Sequence, residues 1–147
     1  MNLPNTHARP SSIFASSAPG RADFLNTHQD YKGLPVVPVA LDLRTYIVAK
    51  RTDSPREVEV QSINLEERGE QYADRFTMEE NLRYAQKGFF GNYLRAVTKV
   101  MLTSTKRMLK ELNRKDFGLH VVISSEVPVS AGLASSAALE VAFAKLL

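Results

Sequence analysis

Residues 119–147 read LHVVISSEVPVSAGLASSAALEVAFAKLL, and the change of rhythm inside that stretch decides the fold. Leu119 to Ser124 is a β-branched run, the composition of a strand. Pro128 to Ala137 is made of small side chains, and Leu139, Ala142, Phe143, Leu146 and Leu147 then fall on one helical stripe. A strand, a small-residue loop and a helix therefore follow in order, with Ser135 or Ser136 where an N-cap belongs. The stripe runs to Leu146-Leu147 with no Gly, Asn or charge to close the helix, so a larger protein is expected, of which this is the N-terminal part.

Working back toward the N-terminus, Phe89 to Asn113 carries Phe90, Tyr93, Leu94, Val97, Val100, Met101, Met108, Leu109 and Leu112 at three- and four-residue steps, a long amphipathic helix. Its other face holds Arg95, Lys99, Lys106, Arg107, Lys110, Arg114 and Lys115. With no aromatic or glycine motif interleaved, that face reads as solvated rather than as a nucleic-acid stripe. Glu66 to Lys87 is dense in charge and has no clean period, so it is expected to be irregular or partly helical. Val58 to Ile63 alternates apolar and polar like a half-buried strand, and Asp53-Ser54-Pro55 supplies a turn that would pair it as a hairpin with LPVVPVALDLRTYIVAKR, residues 34–51. Ser12 to Ser17 reads as a short strand ending at Pro19-Gly20. These strands and helices occupy a chain of one domain's length, residues 1–147.

Composition narrows the chemistry. The chain has 147 residues, 44% of them apolar and 24% charged, which excludes a disordered tail or a fibrous repeat. It contains no cysteine, so disulfides, thiolate nucleophiles and Cys-ligated metals are excluded and the cytoplasm is the expected compartment. No stretch approaches the ~18–20 apolar residues that span a bilayer, and the polar N-terminal segment has no apolar core of a signal peptide. A net charge of +3 suits an anionic ligand and is too small to argue for nucleic acid.

Two clusters carry the chemistry. In the loop before the last helix, Ser130, Ala131, Gly132, Ala134, Ser135, Ser136 and Ala137 let a ligand approach the backbone closely, and the helix start offers unsatisfied N–H groups at its positive end. That combination is an anion cradle, and a serine hydroxyl can add a ligand to magnesium. No Gly-Lys-Ser/Thr occurs, so this is not a Walker A loop. The plainer alternative is a serine-capped helix after a tight turn. In the second cluster, Ala18 to Pro38, Arg21, Asp23, His28 and Asp30 lie within ten residues between two strands. Carboxylate and imidazole groups are what holds a polyhydroxylated ligand, and the fixed fork of Arg21 suits a transferring phosphoryl group. His7 and His120 lack such company and read as ordinary histidines.

Together the clusters resemble the GHMP kinases. APGRADFLNTHQDYKGLPVVPVAL is similar to a galactokinase-type signature through Pro19, Gly20, Arg21, His28, Asp30, Tyr31, Gly33 and Pro38, and PVSAGLASSAALEV resembles the family's phosphate-binding motif through Pro128, Gly132, Leu133, Ser135, Ser136 and Ala137. The resemblance implies a mixed α/β, α+β N-terminal domain with a ribosomal-protein-like two-layer fold, truncated here. It implies ATP held by Ser130, Gly132, Ala134, Ser135 and Ser136, with Mg2+ touching Ser136. It also implies a sugar gripped by Arg21, His28 and Asp30 with its anomeric hydroxyl facing the γ-phosphate, Arg21 serving as a catalytic residue as well.

Two departures from the pattern bear on substrate and turnover. Asn26-Thr27 stand where the pattern has Gly-Glu, exchanging a carboxylate for uncharged groups, which leaves a sugar other than galactose, or a sugar acid, open. The family's downstream catalytic Asp and second glycine-rich motif do not occur, so the chain itself is expected to turn over little or nothing. The implied function is the N-terminal part of an ATP-dependent sugar kinase. The alternatives are another GHMP small-molecule kinase, or a catalytically silent regulator that senses ATP and sugar.

Overall fold

The computed structural model describes residues 12–25, 30–104 and 117–147. The sheet has five strands, β1 (Ile13–Leu25), β2 (Val37–Thr52), β3 (Glu57–Ser62), β4 (Ala73–Thr77) and β5 (Gly118–Ser125). They lie in the order β1-β2-β5-β3-β4. The β3–β5 pair is parallel and the other three pairs are antiparallel. The helices are α1 (Ile63–Glu67), α2 (Gly91–Ser104) and α3 (Ser135–Leu146), with a 3-10 turn at Asp30–Lys32.

Period-two alternation sets the register. Thr45, Ile47 and Ala49 of β2, Val58, Val60 and Ser62 of β3, and Leu119, Val121 and Ile123 of β5 are buried on one face, while Tyr46 and Val48 of β2 are exposed on the other. α2 and α3 cover the buried face with Leu94, Leu102, Ala142 and Phe143, so the architecture has two layers, as the resemblance implies. Ser16 Oγ donates to the Ala142 carbonyl at 2.7 Å and Lys145 Nζ to the Ser17 carbonyl at 3.0 Å, which lays α3 along β1.

Four expectations are corrected. The turn at residues 53–56 does not close a β2–β3 hairpin, because β5 lies between those strands; a sheet-order crossover leaves no local signature. Within residues 66–87 the sequence hides a strand, β4, whose single buried residue, Phe76, is too little for a visible period. On α2 the buried stripe is Gly91, Leu94, Thr98 and Leu102, whereas Val100 is 58% exposed and Tyr93 41%. A glycine and a threonine occupy core positions there and pulled the apparent stripe off its true face. Met108, Leu109 and Leu112, and the basic residues from Lys106 to Lys115, lie outside the described residues.

β1 does not stop at Pro19-Gly20. It continues to Leu25 through an irregularity in which Pro19 pairs with Arg44 and Arg21 with Ala40, leaving Gly20 opposite residues 41–43. Pro19 is tolerated because β1 is an edge strand. The bend turns this edge toward the loop that follows β5, where the candidate site forms.

Candidate functional site

The loop between β5 and α3 has an uncommon backbone. Ser130, Gly132 and Ala134 take φ of 61°, 73° and 56°, three left-handed residues in five, two of them not glycine. Each non-glycine costs roughly 1–2 kcal/mol relative to an ordinary conformation. A backbone that enters the left-handed region repeatedly can turn N–H groups into a concavity that suits anions. Gly132 is open on its side-chain face, with nothing within 4 Å of where a Cβ would stand.

The start of α3 corrects the expected cap. Ala134, not Ser135 or Ser136, is the N-cap, and its carbonyl accepts from the Ala138 N–H at 2.9 Å. An alanine brings no side-chain acceptor, so no side-chain cap bond forms, and the serines become the first two residues of the helix. Both hydroxyls lie in the first turn at the positive end of the helix dipole. One turn on, burial pushes the Glu140 carboxyl above the ordinary carboxylate range.

The loop and the second cluster meet. The Arg21 N–H donates to the Leu133 carbonyl at 3.0 Å, and a Cβ at Gly20 would stand 3.0 Å from that same oxygen and 3.0 Å from Val127 Cγ1. Glycine at position 20 thus lets β1 press against the loop one residue from Gly132. Arg21 projects an exposed guanidinium whose Nε lies 2.9 Å from Asp23 Oδ1 and whose terminal nitrogen donates to Oδ2 at 3.1 Å. Asp23, expected only as one carboxylate of the ligand-holding cluster, is instead the partner of Arg21. Its spacing of two residues on one strand, hence one face, was the available signal. His28 lies outside the described residues, and for Asp30 the description covers the backbone, in the 3-10 turn, and not the side chain.

On the other side of the serines lies a cavity of about 200 Å³. It is lined by Thr45, Ile123 and Ser125 of the sheet, by Ser62, Asn64, Leu65 and Arg68 from the end of β3 onward, by a wall of Gly88, Phe90 and Tyr93 around the start of α2, and by Val129, Ser135, Ser136 and Leu139 of the loop and α3. Part of its polar lining is internally paired: Thr45 and Ser125 share a hydroxyl bond of 2.8 Å, and the Ser125 N–H donates to Asn64 Oδ1 at 2.7 Å. Of this lining the sequence pointed to Ser135 and Ser136 as site residues; Arg68 lies in the stretch expected to be irregular, and Phe90 and Tyr93 in the stretch expected to be an amphipathic helix.

Comparison with known proteins now has a geometry to rest on. The galactokinase galactose-binding signature matches residues 5–51, and the GHMP kinases N-terminal domain matches residues 92–147. The chain belongs to the GHMP kinase family. Within that family it is galactokinase-like: it is 33% identical over 143 residues to a galactokinase of Clostridium perfringens, covering 97% of this chain and 33% of that protein. It is 37% identical over 125 residues to one of Chloroflexus aggregans, covering 85% and 28%. The fold superposes on the Lactococcus lactis galactokinase complexed with galactose with a TM-score of 0.71 at 26% identity, over 90% of this chain and 31% of that one. A mevalonate kinase shares the fold at a TM-score of 0.67 and 22% identity. The chain spans about a third of the length of the curated relatives it matches. No helix among the described residues is long and apolar enough to cross a membrane.

Proposed function

We propose that this chain supplies the sugar-binding strand and the nucleotide-binding loop of an ATP-dependent sugar kinase acting at an anomeric hydroxyl. The observation that carries the reading is the Arg21 N–H bond to the Leu133 carbonyl, which makes the two clusters one structural unit. A phosphate set on the amides of residues 130–136 would lie next to whatever Arg21 holds.

The donor set fits a nucleotide. Small residues, left-handed backbone and an uncapped helix start accommodate phosphate oxygens without steric competition. The adjoining cavity, with Phe90 and Tyr93 on one wall, suits a flat heterocycle continuing from those phosphates. For magnesium the chain offers the Ser136 hydroxyl, and among the described residues no group of three or more His, Asp or Glu stands ready to hold a metal. The ion would therefore arrive on the nucleotide's phosphates, as a hard cation that keeps oxygen ligands does. Bound there, it neutralises charge on the transferring group.

The chain's own residues have defined tasks in this reading. The loop amides orient the triphosphate, and Arg21, braced by Asp23, directs its remaining N–H donors toward negative charge developing between donor and acceptor. Asp30 and His28 take the sugar hydroxyls. The attacking oxygen's proton goes to a general base, a role that falls to none of Arg21, His28 and Asp30.

Titrating the chain with MgATP and, separately, with galactose, other free aldohexoses and sugar acids tests the reading. We expect saturable MgATP binding that Ser136→Ala weakens, and selective binding of one sugar that Ser136→Ala leaves unchanged. Equal loss of both in Ser136→Ala would reject the metal-ligand role, and no MgATP binding by the parent chain would reject the nucleotide site.

A further inference from the structure

The wall formed by Gly88 and Phe90 belongs to an irregular stretch, residues 78–90, that has no ladder or helix to hold it. Met78 and Leu82 anchor its start in the core and the Met78 N–H bonds the Arg56 carbonyl at 2.8 Å; nearer the wall it is held by one face of α2. The Asn92 side chain accepts from the Ala85 N–H at 2.8 Å and donates to the Ala85 and Gln86 carbonyls at 3.3 and 2.9 Å. Three residues on, Arg95 Nη1 donates to the Arg83 carbonyl at 2.9 Å, and a turn further Lys99 Nζ stands 5.5 Å from the Tyr84 ring centre. Asn92, Arg95 and Lys99 follow the i, i+3, i+7 spacing of a single helical face, adjacent to the buried stripe of Gly91, Leu94 and Thr98.

Asn92 uses three of its four side-chain hydrogen-bonding positions on the backbone of residues 85–86, beyond the 3.1 Å bond its own N–H makes to the Phe89 carbonyl, and that segment ends at the cavity wall. Phe89 buries itself and meets Phe90 edge to face at 5.0 Å between centroids, so a wall positioned at residues 85–86 transmits its position to Phe90. We propose that Asn92, assisted by Arg95, is a positioning residue for the nucleotide: from the first turn of α2 it sets where the Gly88–Phe90 wall meets the base. This rests on the nucleotide reading above and assigns that wall a dedicated holder.

The test compares two anions that share phosphates and differ in the base. MgATP and magnesium tripolyphosphate are titrated into the parent chain, Asn92→Ala, Arg95→Lys and, as a core control, Ile47→Val, with a thermal melt for each. Asn92→Ala should raise the Kd for MgATP roughly tenfold, the equivalent of about one net hydrogen bond, and leave tripolyphosphate unmoved. Arg95→Lys keeps a cation for Asp74, forfeits the bond to Arg83 and shifts the same ratio in the same direction by less. If Asn92→Ala does not fold, that variant decides the matter. Ile47→Val lowers Tm without changing the ratio. Parallel losses for both ligands, or none, overturn the proposal while leaving the nucleotide site standing. A parent chain that binds neither anion overturns both.

Discussion

Two arginine–aspartate pairs of nearly the same geometry do opposite work in this molecule. Arg95 grips Asp74 with Nε–Oδ2 and Nη2–Oδ1 distances of 2.9 and 2.6 Å, Arg21 grips Asp23 with 2.9 and 3.1 Å, and each is a two-pronged fork on a carboxylate. The first pair is sunk between α2 and β4, its side chains 13% and 6% exposed, and bridges residues 21 apart in sequence. The second is local to one edge strand, with Asp23 11% exposed but Arg21 50%. A buried pair is structural because removing either partner strands the other. A pair whose arginine is half exposed contributes less to stability and leaves the guanidinium accessible to a ligand.

The buried pair also explains a sequence choice. A Cβ at Gly91 would stand 2.7 Å from Asp74 Cγ, so α2 begins with a glycine to admit that carboxylate. Arg95 is further used by the Arg83 and Arg75 carbonyls and lies 5.0 Å from the Phe76 ring centre, which makes it the joint between β4, the 78–90 segment and α2.

The sharpest way to break the contrast is to remove each carboxylate. Asp74→Ala should cost about 3–5 kcal/mol in a denaturant titration, since it leaves Arg95 charged and largely out of water. Asp23→Ala should cost under about 1 kcal/mol and show itself instead as weaker sugar binding, because Arg21 loses its brace. If the two variants lose similar stability, the division into structural and functional pairs is wrong. A smaller effect sharpens the loop's side of the comparison: Ala134→Gly relieves a left-handed φ of 56° and should raise stability by up to about 1 kcal/mol in the same titration.

The smallest expected effect concerns pH. Burial raises the Glu140 carboxyl, so its folded pKa lies above its unfolded one. Its contribution to stability is then fully present below the unfolded carboxylate range and is lost as pH climbs through the folded value. Thermal melts of the parent chain and Glu140→Gln should therefore differ more, in favour of the glutamine, near about pH 7 than near about pH 4. A difference that grows toward acid would contradict the assignment.

How much of this the sequence disclosed follows from how local each signal is. The β5–loop–α3 unit, the strand composition of β2 and the alternation of β3 were legible, because each is written in adjacent or periodically spaced residues. The insertion of β5 between β2 and β3 was not, since pairing order is set by packing over long separations. Arg95 and Lys99 looked like a solvated face because a charge at helical spacing announces its helix and not its partner. The Asp74 and Tyr84 they meet lie in a stretch with no period to read. The cap failed for a similar reason: a serine is the usual choice, and the left-handed turn at Ala134 displaced it by one residue.

The central claim is that β1 and the loop before α3 form one site through their contact at Gly20, Arg21 and Leu133. Gly20→Ala tests it most directly, because the new methyl would press on the Leu133 carbonyl and Val127, each 3.0 Å away, and shift the loop against the strand. Affinities for MgATP and for the sugar that the parent chain selects, measured on this variant by calorimetry, should fall together. A variant that loses one ligand while holding the other at parental affinity would show that the strand and the loop serve separate sites.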